Sequence, residues 1–308
     1  MIDSEAVREH TRYVLARLPL VVFVLLWSSG YVVGALGVEV ATPLALLTVR
    51  FAIALVLAVP LALRVPGWRE APFGRLAVVG LLLQGVQFAG VYGGLSLGVP
   101  AAISALVVLG LAPVATTALV ALSGMERPTG RIWALLALGV AGVALSVAPD
   151  LGGAQVGAGV GLTVLGMLGL AGGTVLQKRW VGEADPRVAV ATQIVAATAV
   201  LAPVAVVTGQ LHVDPSVQLG WTVAWLAWPL SIGATILFVR LLARYAASTT
   251  STLLLVVPAV TAVESALVLG ERLHALSLVG MAVTVAAVAA VVREPDRPAA
   301  PVSAASTR

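Results

Sequence analysis

Residues 112–127, APVATTALVALSGMER, and residues 257–272, VPAVTAVESALVLGER, follow one pattern: a proline, a run of mostly apolar residues, and a closing Glu-Arg. Pro258 follows Pro113 by 145 positions, and Glu271-Arg272 follows Glu126-Arg127 by the same interval, without a gap. Upstream the interval is 143, pairing Gly30 with Gly173, Pro43 with Pro186 and Pro60 with Pro203. Matches among Ala, Val and Leu carry little weight in so apolar a chain. Recurring Pro and Glu-Arg positions carry more, and they predict a duplicated unit. Only the second copy places an acid, Glu264, inside its apolar run.

The composition says where such a unit lives. Of 308 residues, 60% are hydrophobic and 10% charged, with a mean hydropathy of +1.05. A soluble domain carries about 25% charged residues. About 20 apolar residues cross a bilayer core as a helix, so ten crossings would use about 200 residues. Apolar blocks fall near 18–36, 43–63, 74–95, 101–122, 131–148, 156–177, 186–208, 220–242, 248–269 and 275–292. They are continuously apolar, without the two-residue alternation of a barrel strand. The expected fold class is therefore an all-α membrane protein of ten transmembrane helices.

Charge orients it. With the N-terminus inside, sixteen of the eighteen basic residues fall on one side, Arg272 falls on the other, and Arg50 lies within a span. Such a bias marks the cytoplasmic face, and loops near Glu39, Asp150, Asp214 and Glu271 are expected outside. The pI near 10.1 does not mean nucleic acid, because the basic residues form no patch. Residues 1–17 are expected to remain as a cytoplasmic tail rather than a cleaved signal. Residues 293–308, rich in Pro, Ala and Ser, are expected to be a disordered cytoplasmic tail. Five spans per unit is an odd number, so the second copy (156–292) enters the membrane from the side opposite to the first (18–148). Inverted repeats of this kind build alternating-access transporters, with the substrate near the midplane between the halves.

The stretch WSSGYVVGALGVEVATPLALLTVRFAIA in the first two spans resembles the EamA branch of the drug/metabolite transporter superfamily. So do GVYGGLSLGVPAAISALVVLGLAPV and the two Glu-Arg segments, in order and spacing, over nearly all of residues 18–292. The first repeat departs from the usual Leu-Gly-Glu-Arg, reading Ser-Gly-Met-Glu-Arg. The resemblance implies ten helices in two inverted halves and, commonly, export of amino acids or other small metabolites across a bacterial inner membrane. The wider superfamily also implies an alternative, proton-coupled efflux of lipophilic cations.

Polar residues inside apolar spans are the candidates for the substrate path, since amides and hydroxyls in hydrocarbon need partners. Gln84, Gln87 and Phe88 share a helical face with Val91, and Tyr92 lies at its edge. Trp27, Ser28 and Tyr31 cluster on the first span, and Thr174 and Gln177 lie on its repeat mate. Each of these either lines a cavity or only bonds between helices. Trp221, Trp225 and Trp228 form a stripe, with Trp221 an interfacial belt residue and the deeper two either lipid-facing or a stacking wall; Trp225 is retained as a candidate. Trp68, Trp133 and Trp180 are expected as cytoplasmic boundary anchors. Gly30/Gly34, Gly90/Gly94 and Gly169/Gly173 are expected close-packing surfaces. Glu126 and Glu271 are expected to favour the positive N-terminal end of the helix that follows each.

The two strong charges within spans, Arg50 and Glu264, break the internal symmetry: their repeat mates are Gln193 and Leu119. Helix rise places them about 10 Å and about 7–8 Å below the outer surface. Opposite sign at similar depth suggests mutual compensation, as a gate or a proton-coupling pair; the alternative is that each snorkels or bonds locally. No phosphate-binding loop, metal-ligand spacing or cysteine is present, so no cofactor, metal or enzymatic constellation is expected. The expected partners are a small-molecule substrate and the lipid bilayer, with no nucleic acid, and a monomer is the working expectation.

Overall fold

A computed structural model describes residues 4–122, 128–150, 154–181, 184–238 and 247–292. Glu126-Arg127, Arg240, Arg244 and the 293–308 tail lie outside them. Ten helical segments are described: α1 (Ser4–Val38), α2 (Pro43–Leu63), α3 (Phe73–Ser96), α4 (Ala101–Leu122), α5 (Gly130–Val147), α6 (Ala154–Trp180), α7 (Pro186–Val207), α8 (Val217–Phe238), α9 (Ala247–Val268) and α10 (Ala275–Val292). Eight of them, α1 to α8, are long and apolar enough to cross a membrane. Within α9 and α10 the shorter apolar stretches Val256–Val268 and Ala275–Ala290 are described. The segment expected as a tail before Leu18 is helical from Ser4, continuous with the first span.

Helices are the local solution because an apolar stretch in lipid must satisfy its backbone within itself. Pro43 and Pro186 open α2 and α7 at positions where no N–H is required. The Asp185, Ser216 and Thr129 side chains accept from the first turns of α7, α8 and α5. The exterior is apolar: Val56 is 72% exposed, Leu267 80%, and Leu122 and Val207 86% each. In water such a surface would drive association; in a bilayer it is ordinary.

The helices pack in related sets. The pairs α2/α7, α4/α9 and α5/α10 each join one helix to its own repeat mate. The contact of α1 with α9 has its counterpart in α6 with α4, and that of α3 with α6 in α8 with α1. Small residues set these approaches. A Cβ on Gly166 of α6 would come within 2.7 Å of the Gln87 carbonyl on α3, and one on Gly169 within 2.8 Å of the Gln87 nitrogen. Gly90, Gly94 and Gly173 also meet α3/α6 neighbours, whereas Gly30 meets Leu230 and Gly34 meets Tyr92. The same device, unremarked in the sequence, joins α5 to α10: a Cβ on Gly142 would lie 2.8 Å from the Gly280 carbonyl. Reciprocal 2.8 Å bonds between Ser146 and Ser277, each hydroxyl donating to the other residue's carbonyl, fasten that pair.

Two helices widen mid-span into π-helical turns, Leu81–Val86 in α3 and Leu226–Ala234 in α8. Leu226 follows Leu81 by 145 positions, the interval of the opening repeat. In α8, Pro229 has no N–H and crowds the preceding turn, which accounts for the wider turn. In α3 there is no proline; the turn follows Gly80, whose backbone lies against Gln193 of α7.

At one end of the bundle the turns are tied across the halves. Ala41 and Val213 form an antiparallel bridge, and Gln218 donates to the Leu36 carbonyl and to Glu39. Glu271 belongs to this set, but not as expected. Its carboxylate accepts from the Ala101 N–H at 2.9 Å, so it caps α4 of the other half rather than the α10 that follows it. Glu271→Ala is expected to cost about 1–2 kcal/mol, the usual worth of a helix cap, read as a lower Tm in detergent.

Candidate functional site

A cavity of about 80 Å³ lies among α1, α3, α6, α7 and α8. Its lining pairs repeat mates: α1 gives Trp27, Gly30 and Tyr31, and α6 gives Leu170 and Gln177. From α3 come Leu83, Gln84, Gln87, Phe88, Val91 and Tyr92, and from α8 come Leu230, Thr235 and Phe238. Ala189, Val190 and Gln193 of α7 complete it. Polar groups on this wall are amides and hydroxyls, and no carboxylate or cationic side chain is part of it. Typical small-molecule sites run to roughly 300–1,000 Å³, so this conformation is contracted around the space.

Local structure explains who faces inward. The widened turn of α3 carries Gln84, and Gln87 begins the α-helical turn after it. Both are buried, at 4% exposure, and the Gln84 Oε1 has no hydrogen-bond partner among the described residues. Gln193 is tied across the cavity wall, its amide donating to Gln177 Oε1 at 2.9 Å. Phe23, Trp27 and Phe238 form an aromatic wall with ring centroids 5.2–5.7 Å apart.

Six of the sequence candidates meet at this cavity: Trp27, Tyr31, Gln84, Gln87, Phe88 and Gln177. Three do not line it. Ser28 points toward α9, Thr174 donates back to the Leu170 carbonyl of its own helix, and Trp225 is 39% exposed on the bundle surface. The Trp225 ring nitrogen donates to Ser29 Oγ at 3.0 Å. Trp221 and Trp228 are also exposed, so the tryptophan stripe faces the surroundings rather than the cavity. Gln193 was legible only as the repeat mate of Arg50. Phe238 and Leu230 gave no signal, because apolar residues in an apolar span look alike.

Arg50 is fully buried on α2, directly behind this wall. Its Nε donates to Ser231 Oγ at 2.8 Å and its Nη1 to the Tyr92 hydroxyl at 2.6 Å. The guanidinium carbon sits 4.3 Å from the Phe88 ring centroid. Hydrogen bonds from a charged donor are worth about 1.5–3 kcal/mol each, and a desolvated cation–π contact about 2 kcal/mol. Burying the cation costs several kcal/mol. These neutral partners hold the charge without neutralising it.

Glu264 is not its partner, and the expected compensation between the two is corrected here: among the described residues no ion pair joins them. Glu264 Oε1 instead accepts from Ser28 Oγ at 2.9 Å, and its Oε2 is buried without a partner among the described residues. One turn earlier on α9, the buried Thr261 hydroxyl is also unpartnered. The two charges thus occupy separate polar clusters, one between α2, α3 and α8, the other between α1 and α9.

A wider recess of about 720 Å³ opens at one end of the bundle, between residues 65–72 and 180–188. Its charged residues include Arg187 and Asp185, paired at 2.8 Å. None of its lining groups is a buried polar atom without a partner.

A family model described as the EamA-like transporter family matches residues 15–148 and again residues 157–293. The chain belongs to that family. The two matches are two copies of the EamA-like unit, so the duplication seen in the prolines and the Glu-Arg pairs is the family's unit repeated. No curated protein matches the chain. In this EamA-like transporter the cavity is bounded by helices from both copies, with α1 and α3 contributed by the first and α6, α7 and α8 by the second.

Proposed function

We propose that the chain is a secondary transporter of the drug/metabolite type that moves small metabolites, amino acids among them, out across a bacterial inner membrane. In this reading ten helices cross the membrane as two inverted five-helix repeats, with both termini in the cytoplasm and no catalytic role. The observation that carries it is the cavity between the two copies, lined by the repeat-related pairs α1/α6 and α3/α8. Inverted halves make two oppositely facing states nearly equivalent, which is the physical basis of alternating access. The contracted volume fits a state between them.

Gln84 supplies the test. It is buried at the cavity wall with an unpartnered acceptor, so its amide is suited to a solute rather than to the fold. Counterflow into proteoliposomes, using amino acids and tetraphenylphosphonium as alternative solutes, is expected to show saturable uptake of one class. Gln84→Ala is expected to lower that uptake by about tenfold, the worth of one hydrogen bond to a bound solute, at unchanged Tm. Equal loss of stability with unchanged uptake per folded protein would assign Gln84 to helix packing.

Proton-coupled efflux of lipophilic cations is the second reading, favoured by the buried, unpartnered Oε2 of Glu264. A buried carboxylate inside a membrane can exchange a proton for a cation. Preference for tetraphenylphosphonium, with uptake lost in Glu264→Gln, would select it.

A further inference from the structure

Arg50 lies at 0% exposure, and a guanidinium stays charged at any pH the protein meets. Among the described residues no carboxylate pairs with it. Its hydrogen-bond partners are two hydroxyls, from Ser231 and Tyr92, and its face rests on the Phe88 ring. The counter-ion expected from the sequence, Glu264, bonds to Ser28 instead. A buried cation supported only by neutral groups carries a burial cost that no opposite charge offsets.

Position says from where an opposite charge can reach the cation. Phe88 and Tyr92 hold the guanidinium on one side and line the cavity on the other. The repeat mate of Arg50 is Gln193, which faces the same cavity from α7. The two-copy architecture therefore puts both members of this pair beside one space, and only one of them is charged. Gln84 Oε1 on that wall is a buried acceptor without a donor among the described residues. Apart from the amides of Gln87, Gln177 and Gln193 and the Thr235 and tyrosine hydroxyls, the wall is apolar and aromatic, with no acidic residue among the described residues.

We propose that Arg50 is the anchor for a carboxylate on the solute, so that this cavity takes a small organic acid with an apolar body and an N–H or O–H donor for Gln84. The carboxylate displaces the Tyr92 hydroxyl from Nη1 and forms the paired hydrogen bonds for which a guanidinium is shaped. The buried positive charge, together with a wall lacking carboxylates, disfavours lipophilic cations at the same place. This inference rests on the cavity being the solute path.

The test is a binding measurement on the purified full chain in detergent, independent of transport. Thermal-shift titrations use matched probes that all carry a donor: mandelate, indole-3-acetate and leucine against mandelamide, indole-3-acetamide and leucinamide, with tetraphenylphosphonium as the lipophilic cation. Saturable stabilisation by carboxylates but not by their neutral or cationic counterparts is expected. Arg50→Gln is expected to weaken it at least about 30-fold, as when one partner of a buried charge pair is removed. Tyr92→Phe keeps the ring and removes the competing hydroxyl, so it is expected to tighten carboxylate binding about fivefold. It serves if Arg50→Gln does not fold.

Absence of a carboxylate-dependent shift, an equal shift from the amides, or a shift that survives Arg50→Gln overturns the proposal. Counterflow separates this failure from failure of the transport reading. Uptake of a neutral or cationic solute without carboxylate binding leaves transport standing and removes the anion anchor. Carboxylate binding without uptake of any solute does the reverse.

Discussion

Gly166→Ala is expected to destabilise the purified protein by about 3 kcal/mol or more, while Gly161→Ala, five residues away on the same helix, is expected to be neutral or stabilising. Both glycines sit in α6, so helix propensity favours alanine equally at each, by about 1 kcal/mol. What differs is the neighbour. A Cβ on Gly166 would lie 2.7 Å from the Gln87 carbonyl and 3.2 Å from the Val91 nitrogen, both backbone atoms of α3 that cannot rotate aside. A Cβ on Gly161 meets nothing within 4 Å. The α3/α6 contact also sets the position of Gln87, so a helix pushed away at Gly166 carries the cavity wall with it. Thermal melts of the two variants in detergent decide the matter; equal Tm values would show that these helices are not packed backbone to backbone at Gly166.

The second large effect concerns the buried cation. Arg50→Met and Tyr92→Phe are expected to be non-additive, with a coupling of about 1.5–3 kcal/mol, because each removes the same charge-assisted hydrogen bond. Arg50→Met with Glu264→Gln is expected to add within about 0.5 kcal/mol, since the two side chains share no partner. Arg50→Met alone is expected to leave the fold as stable as before, or more so, because an apolar side chain of similar reach has no burial cost of the kind a lone cation carries. Loss of function without loss of stability is the signature of a residue kept for its ligand. Chemical denaturation of the single and double variants measures all three terms. Strong coupling between Arg50 and Glu264 would mean that they meet in a conformation other than this one.

Much of the chain's plan is legible in the sequence. Continuous apolar runs interrupted by Pro, Gly and charge place helix ends within a few residues: the expected span 43–63 is Pro43–Leu63, and 275–292 is Ala275–Val292. Polar residues in those runs, with the aromatic residues sharing their helical faces, marked six cavity residues, since an amide such as Gln87 has no reason to face lipid. Elsewhere the same cue misled. Ser28 is polar and buried and Thr174 polar and half-buried, but a short hydroxyl can be satisfied by a neighbouring helix or by its own, and sequence does not distinguish that from lining a cavity. Trp225 has the opposite defect: a large amphipathic ring is equally at home against lipid and against a solute.

The sequence by itself determined the helices, their duplication and the polar inventory of the interior. These are local matters: in hydrocarbon each segment must close its own backbone hydrogen bonds, whatever its neighbours do. Only the tertiary structure decided which polar group meets which. Helix rise put Arg50 and Glu264 at an expected similar depth, their signs are opposite, and the pattern along the chain suggested a pair. Yet helix rotation turned Arg50 toward Tyr92 and Ser231, and Glu264 toward Ser28. The same is true of Glu271, which caps a helix 170 positions away rather than the one it precedes. Rotation and approach are set by where small residues let two backbones touch, as Gly166 does on α3 and Gly142 on α10. That fit is a property of two surfaces at once, and neither surface is written in the segment that bears it.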